Sequence, residues 1–375
     1  MPQVDPMSKK RMNFDSAPFL VLWELTRACA LACKHCRARA ISCRNPDELK
    51  ERDLLLVFEQ LEELGSPLLI LTGGDPFERP DLLDIVKEAR SRNFRVAVTP
   101  SATARVTQKA IFELAGAGIE RLAISVDGAD ASSHDLFRGV SGSYEQTLRI
   151  IEWAREANIP IQINTSISKS NIASFDAIKD NLEKWKIALW SVFFLVPIGR
   201  ASEEMQISAL ESECILRKMV RLALHSEFDI KSTAAPHFRR VLIQTLFNAK
   251  QTDQDGLEGI SPQMRLGALR SYQSVNDGKG ILFISHTGDV YPSGFLPVSA
   301  GNLKETALAE IYRHSPLFQN LRKPDLLQGK CGRCRYKAIC GGSRARAFAE
   351  TGDFLAQDSL CVYDEALQSE TQVSA

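Results

Sequence analysis

The chain has 375 residues, 44% of them hydrophobic, with 46 lysines and arginines set against 46 aspartates and glutamates. The cancelled charge excludes nucleic acid or an anionic membrane as the main partner; Met1 to Ser16 is polar and lacks a signal-peptide core, and no later apolar run is long enough for a membrane span. These features describe a cytoplasmic protein with one large domain and a smaller one, whose nine cysteines are metal ligands or free thiols rather than disulfides.

After the polar segment 1–18 the first predicted element is the strand Phe19–Leu25, and it runs into Cys29-x3-Cys33-x2-Cys36. Iron in a cubane cluster prefers thiolates, and such a cluster has four irons to bind. Three local thiolates therefore leave one iron open to chelate a small molecule. Zinc is the alternative, although a structural zinc site closes with four ligands. An odd triplet does not suit disulfides.

From Phe19 to about Phe228 short β-branched runs alternate with stretches of helical period. The further strands are Leu68–Leu71, Arg95–Thr99, Arg121–Val126, Ile161–Ile167 and Leu189–Val196, with helices near 47–64, 80–92, 107–118, 143–157, 172–187 and 208–227. This is an α/β chain, and its six units predict a partial (β/α)6 TIM-like barrel, too few to close a ring of eight. Sites in such folds lie at the carboxyl ends of the strands. The unusual residues agree, because the cysteine loop, Gly73-Gly74-Asp75-Pro76, Ser125-Val126-Asp127-Gly128 and Pro197-Ile198-Gly199-Arg200 all follow strands.

On this rim the adjacent Gly73 and Gly74 allow close backbone approach to a ligand, and Asp75 adds a carboxylate suited to an ammonium group. Ser125, Asp127, Asn164 and Ser166 offer short polar side chains for ribose hydroxyls, and Arg138 is a candidate clamp for a carboxylate. A linker region follows at 231–279, then the hairpin-like run Gly280 to Tyr291 and a helix over Leu308–Leu321. Cys331-x2-Cys334-x5-Cys340 with Cys361 then supplies four thiolates, enough to close a zinc site or a cubane.

The cysteine triplet, Gly73-Gly74-Asp75 and the six βα units over residues 19–230 resemble the radical S-adenosylmethionine (SAM) superfamily. The resemblance implies that Cys29, Cys33 and Cys36 hold a [4Fe–4S] cluster whose open iron chelates SAM. It further implies that Gly73, Gly74 and Asp75 meet the SAM amine, Ser125 and Arg138 its carboxylate, Asn164 or Ser166 its ribose, and the backbone near His35 and Pro197 its adenine. Residues 280–365 resemble the SPASM extension of such enzymes, followed by the tail 366–375. Arg344 and Ser293 stand where that extension usually has cysteines. The resemblance thus implies one auxiliary [4Fe–4S] cluster, held by Cys331, Cys334, Cys340 and Cys361, with an electron-transfer role.

A radical enzyme of this kind splits SAM reductively and abstracts hydrogen from a substrate, using electrons from a flavodoxin- or ferredoxin-type reductant. Stretches such as Trp190 to Arg200 and Ala235 to Arg240 look like a subfamily assigned to peptide modification, with relatives in haem and haem d1 synthesis. The expected substrate is a ribosomally made peptide. The alternatives are a tetrapyrrole, modified or oxidatively decarboxylated, and a non-catalytic iron–sulfur electron-transfer or scaffold protein. His237, Arg239 and Arg240 are candidates to meet substrate carboxylates, or else a solvated helix start.

Overall fold

The computed structural model describes residues 13–251 and 275–366; parts of three expectations, the polar start (1–12), the linker (252–274) and the tail (367–375), lie outside the described residues. In chain order the barrel elements are β1 (Leu20–Glu24), α1 (Glu51–Glu63), β2 (Leu68–Thr72), α2 (Leu82–Ser91), β3 (Val96–Val98), α3 (Gln108–Gly116) and β4 (Arg121–Ser125). They continue with α4 (Ala131–Arg138), α5 (Ser143–Glu156), β5 (Ile161–Ile167), α6 (Phe175–Trp185), β6 (Leu189–Phe194), α7 (Ala209–His225), β7 (Asp229–Thr233) and α8 (Phe238–Gln251). The C-terminal part holds β8 (Ile281–Ile284), β9 (Asp289–Tyr291), β10 (Gly301–Asn302), α9 (Leu308–His314), α10 (Pro316–Leu321), α11 (Gly329–Arg333) and α12 (Arg344–Thr351).

One sheet runs in the order β10-β9-β8-β1-β2-β3-β4-β5-β6-β7, parallel from β8 through β7. All six expected strands form its centre, and β10 and β7 are its edges, so among the described residues the barrel is an open arc. One flanking strand, β7, escaped the sequence pattern, and another, β8, has a pairing the pattern did not show. β7 reads Asp-Ile-Lys-Ser-Thr, with a single apolar residue, and its register on β6 from Leu189↔Asp229 to Phe193↔Thr233 is set by tertiary pairing rather than propensity. β8 does form the expected hairpin with β9, but its other edge pairs in parallel with β1, from Leu20↔Ile281 to Trp23↔Ile284.

The period of two along each strand separates the two faces. In β5, Ile161, Ile163 and Ile167 are buried and belong to the helix-side core, while Gln162, Asn164 and Ser166 on the opposite face are only half-buried. Along β5 the concave face is thus polar and less tightly buried than the helix side. Helix starts follow local capping. Ser208 accepts from the Glu211 N–H at 3.2 Å, while the Glu211 carboxylate takes the Ser208 N–H at 2.7 Å, a capping box that fixes α7. α4, with eight residues, is too short to show a helical period; Asp130 caps it and Gly139, at φ +72°, ends it. The helix expected over Leu308–Leu321 is broken into α9 and α10 at Ser315-Pro316, where Ser315 caps the second piece.

A second, smaller core of Val196, Leu296, Leu321 and Ala345, with Ile198, Phe295 and Phe348 packed on it, fastens the C-terminal part to the loop after β6. Among the described residues no helix is long and apolar enough to cross a membrane.

Candidate active site

The loop after β1 is pinned from two sides. The Gly74 N–H donates to the Thr26 carbonyl at 2.8 Å and the Asp75 N–H to the Ala28 carbonyl at 2.7 Å. A Cβ on Gly74 would stand 2.3 Å from the Ala28 oxygen, and one on Gly73 would stand 2.5 Å from that of Thr26. The two glycines are thus required by the approach of β2 to the cysteine loop itself. From the far side, the Arg200 N–H donates to the Cys36 carbonyl at 3.0 Å, and Gly199, at φ +67°, has room only for hydrogen because a Cβ would meet that carbonyl at 2.3 Å. The rim segment at Pro197 to Arg200 therefore packs directly on the end of the cysteine loop.

Seven of the nine cysteines have a donor on their sulfur. Backbone N–H groups of Leu31 and Ala40 reach Cys29 and Cys36 at 3.3 and 3.5 Å, and the Arg138 guanidinium reaches Cys33 at 3.7 Å. In the second set, the Asp358, Tyr336 and Gly342 N–H groups reach Cys331, Cys334 and Cys340 at 3.3, 3.4 and 3.4 Å, and Arg240 reaches Cys361 at 3.9 Å. Burial pushes the thiols of Cys29, Cys334, Cys340 and Cys361 up, and the N–H donors partly oppose it by favouring the thiolate, the form that binds iron. The remaining two, Cys43 and Cys214, are exposed.

Asp75 is fully buried, and its carboxylate accepts from the Phe77 N–H, the Ser101 N–H and the Thr103 hydroxyl at 3.1, 3.3 and 2.7 Å. Burial pushes the carboxyl up to about 6 despite these donors. Its oxygens thus organise the loop after β3, and Ser101 in turn donates to the Gly74 carbonyl at 2.8 Å and accepts from the Cys29 thiol at 3.5 Å. Ser101 and Thr103 went unnoticed in the sequence, although their place just after β3 puts them on the same rim as the other candidates.

Asp127, read as a ribose contact, is instead buried in a polar knot: it accepts the Ser166 N–H at 2.6 Å and forms an ion pair with Arg138. Arg138 is thereby held between Asp127 and Cys33, with its Nε buried and without a partner. His35 stacks on Phe137 at 4.3 Å, and its buried Nδ1 also lacks a partner. Burial first, then Arg138 and Arg200, hold that imidazole neutral. Ser125 and Asn164 are register partners on the concave side of β4 and β5, next to Ser166. The structure thus gathers the predicted residues along one rim, and two orphaned polar atoms beside the cysteine loop fit a site completed by a polar ligand.

His134 accepts the Asp127 N–H at Nδ1, 3.3 Å away, and is 1% exposed. Burial, with Arg138 adding to it, lowers the imidazole to about 4. Because the unfolded chain takes up this proton near pH 6.5 and the folded chain does not, the stability it contributes is present above pH 6.5 and is lost as pH falls toward 4. In urea unfolding between pH 6.5 and 4.5, His134→Asn, whose amide oxygen can accept the same N–H, should show a stability slope shallower than the parent's by about 1.4 kcal/mol per pH unit. Parallel slopes would show that His134 is already charged in the fold.

The second cysteine set surrounds a partly open hollow lined by Cys331, Cys334, Cys340 and Cys361 together with Arg240 and Lys330. Among the described residues no group of three His, Cys, Asp or Glu side chains converges closely enough for a single ion. Four thiols lining one hollow supply the ligand number of a four-thiolate iron–sulfur centre. α8 begins beside this hollow. Arg239 donates to the Ile339 and Val275 carbonyls at 3.2 and 2.6 Å, and Arg240 pairs with Glu213. The helix start is not a solvated face, because His237 and Arg240 are buried and Arg239 is half-buried beside the auxiliary cysteines.

An open parallel arc with a three-thiol loop at its rim and a four-thiol module beyond its edge defines a class of iron–sulfur enzyme. The chain matches the family model described as the radical SAM superfamily over residues 23–199, and that of SPASM, an iron–sulfur cluster-binding domain, over 276–335. It is 38% identical over 348 residues to the AdoMet-dependent heme synthase of Methanosarcina barkeri, covering 93% of this chain and 97% of that one. It is 26% identical to the PqqA peptide cyclase of Rhizobium meliloti, covering 92% and 87%. Among solved structures, Streptococcus suis SuiB bound to precursor peptide SuiA matches with a TM-score of 0.69 at 16% identity, covering 93% of this chain and 76% of that one. The chain belongs to the radical SAM superfamily and carries a SPASM extension. It is an enzyme whose cofactors are a [4Fe–4S] cluster with SAM and an auxiliary iron–sulfur centre. Bound SAM supplies a carbon-centred radical able to take hydrogen from an unactivated C–H bond.

Proposed function

We propose that the protein oxidatively decarboxylates carboxylate side chains of a tetrapyrrole. The carrying observation is the near full-length likeness, at 38% identity, to a protein named heme synthase, against 26% for a named peptide cyclase. The peptide substrate expected from the sequence is thus the less supported reading. The concave face suits a flat, anionic molecule. Phe283 lies opposite Leu22 on that face, between Leu282 and Ile284, which face the helices. It packs on Tyr291 at 6.1 Å, and Phe193 packs on Phe295 at 6.1 Å. Arg37 lies 4.7 Å over the Phe283 ring, with its guanidinium 3.1 Å from Glu24, and Glu24 in turn contacts His286 at 3.0 Å.

In this reading Cys29, Cys33 and Cys36 hold the SAM-binding cluster. Gly73, Gly74, Ser125, Arg138, Asn164, Ser166, His35 and Pro197 line the SAM position, and Asp75 holds the loop beside it. Each propionate converted to a vinyl group gives up one hydrogen atom, one CO2 and one electron. The reaction therefore requires a one-electron acceptor, which the C-terminal iron–sulfur module, with Cys331, Cys334, Cys340 and Cys361 as ligands, supplies when loaded. We assign the electrons that start each turnover to a flavodoxin- or ferredoxin-type protein, and place the enzyme in the cytoplasm, where unpaired thiols persist.

The test is an anaerobic reaction of the reconstituted protein with SAM, dithionite and either a propionate-bearing iron porphyrin or a synthetic peptide. The expected result is porphyrin-dependent 5′-deoxyadenosine together with vinyl products seen by mass spectrometry. Peptide modification without any loss of CO2 from the porphyrin would reverse the assignment.

A further inference from the structure

The two cysteine sets differ in the cations placed directly beside their sulfurs. Near the first, the one guanidinium on a sulfur, Arg138, is already matched by Asp127, and a second carboxylate, Asp75, lies close by through Ser101. Near the second set four cations gather; of these Arg240 alone is in an ion pair, while the Asp358 carboxylate acts on Arg344 and that of Asp364 on Lys330 from beyond ion-pair distance. Arg240 has Glu213 as its partner. Arg344, 1% exposed, donates to the Gly342, Phe354 and Ala356 carbonyls at 3.2, 2.9 and 2.7 Å and to the Cys331 sulfur at 3.8 Å. Lys330 donates to the Cys361 carbonyl at 2.5 Å, and Arg239 to the Ile339 carbonyl beside Cys340. Among the described residues none of Arg239, Lys330 and Arg344 has a carboxylate within ion-pair distance.

A buried guanidinium is costly unless negative charge stands nearby. Asp358, already paired with Arg346, supplies part of that charge to Arg344, and four thiolates add to it. Gly342, at φ +67°, clears its path, since a Cβ there would stand 2.5 Å from the Arg344 guanidinium and 3.0 Å from the Cys331 sulfur. Arg344 also occupies a position where a SPASM extension usually carries a cysteine.

We propose that Arg344, with Lys330 and Arg239, sets the reduction potential of the auxiliary cluster, holding it high enough to accept an electron. A cluster bound by four thiolates becomes one unit more negative on reduction, so adjacent cations favour the reduced form. The inference rests on the auxiliary-cluster assignment, and these residues act as positioning charges rather than as groups touching substrate.

The experiment is an EPR-monitored redox titration of the full-length protein with both clusters loaded. Added SAM marks the signal of the open-iron cluster, and iron analysis reports loading. Arg344→Gln should lower the midpoint of the SAM-insensitive signal so that the reduced-to-oxidised ratio at fixed potential falls about tenfold, about 59 mV for one electron. Arg344→Lys, which keeps the charge, should recover most of that shift, and the SAM-sensitive signal should not move. An unchanged midpoint in fully loaded Arg344→Gln, or an equal shift in Arg344→Lys, overturns the proposal. If Arg344→Gln does not load iron, Lys330→Gln at the rim of the hollow is expected to shift the midpoint in the same direction, and no shift there overturns it equally. Zinc in place of iron in the parent would remove the cluster assignment itself, a failure visible before any titration.

Discussion

Cys33→Ala should reduce 5′-deoxyadenosine formation to the background of a protein-free mixture, whereas Cys334→Ala should leave cleavage of SAM without substrate largely intact. Cys33 is the central sulfur of the triplet, 8% exposed and contacted by the Arg138 guanidinium. Its loss leaves two local thiolates for a cluster that already has an open iron. Arg138 would keep Asp127, so the rim should stay folded while the metal site fails. Cys334 is half-buried at the wall of the second hollow and accepts only a backbone N–H, from Tyr336. The module around it is anchored by Val196, Leu296, Leu321 and Ala345 and by side-chain bonds to the barrel, none of which needs iron. The measurement is anaerobic product analysis by chromatography, with iron content and thermal unfolding of both variants as controls. Equal loss in the two would mean that the second cluster is needed to fold the protein or to reduce the first.

What the sequence disclosed and what it hid divide along range. Cys29, Cys33 and Cys36 were legible because a cluster loop is a local object with a spacing, and β5 because period two is visible within seven residues. Gly73 and Gly74 were legible as special but not for the right partner. They were read as making room for a ligand, whereas they first make room for the carbonyls of Thr26 and Ala28, residues some 45 positions away in sequence. Asp75 looked like a ligand contact and is a buried hub for Ser101 and Thr103, because nothing local reveals that a neighbouring strand end will fold over it. β7 was missed since its stability comes from β6 rather than from its own residues. Arg239 and Arg240 illustrate the same limit from the side of charge: a basic helix start looks solvated until the cysteines that surround it, about 100 residues later, are in place.

Arg346→Met should cost about 3–5 kcal/mol of folding stability, the range for stripping one partner from a buried ion pair. Arg346 and Asp358 are both 0% exposed and pair at 3.2 Å. The same guanidinium donates to the Phe194 and Leu195 carbonyls at the end of β6 at 3.0 and 3.2 Å, and to the Ala234 carbonyl just after β7 at 2.9 Å. One side chain of the auxiliary module therefore satisfies three carbonyls of the barrel rim. Methionine fills similar volume but leaves those oxygens and the Asp358 charge unmet. The pH dependence supplies an internal check. Burial alone would raise the Asp358 carboxyl, but Arg346, His237 and the Ser343 N–H outweigh it and hold it at about 2. In the parent its contribution is therefore complete above pH 3.8 and is lost only as pH falls from there toward 2. Without Arg346 burial dominates and the carboxyl rises, so the variant should regain stability relative to the parent as pH drops from 7 to 5, the opposite sign to ordinary acid destabilisation. Adding Asp358→Asn should recover part of the loss at pH 7 and remove that reversed slope. Urea unfolding of the full chain at the two pH values decides the matter. A loss below about 1 kcal/mol, the size of an exposed ion pair, would mean that the barrel and the cluster module are joined by their apolar contacts alone.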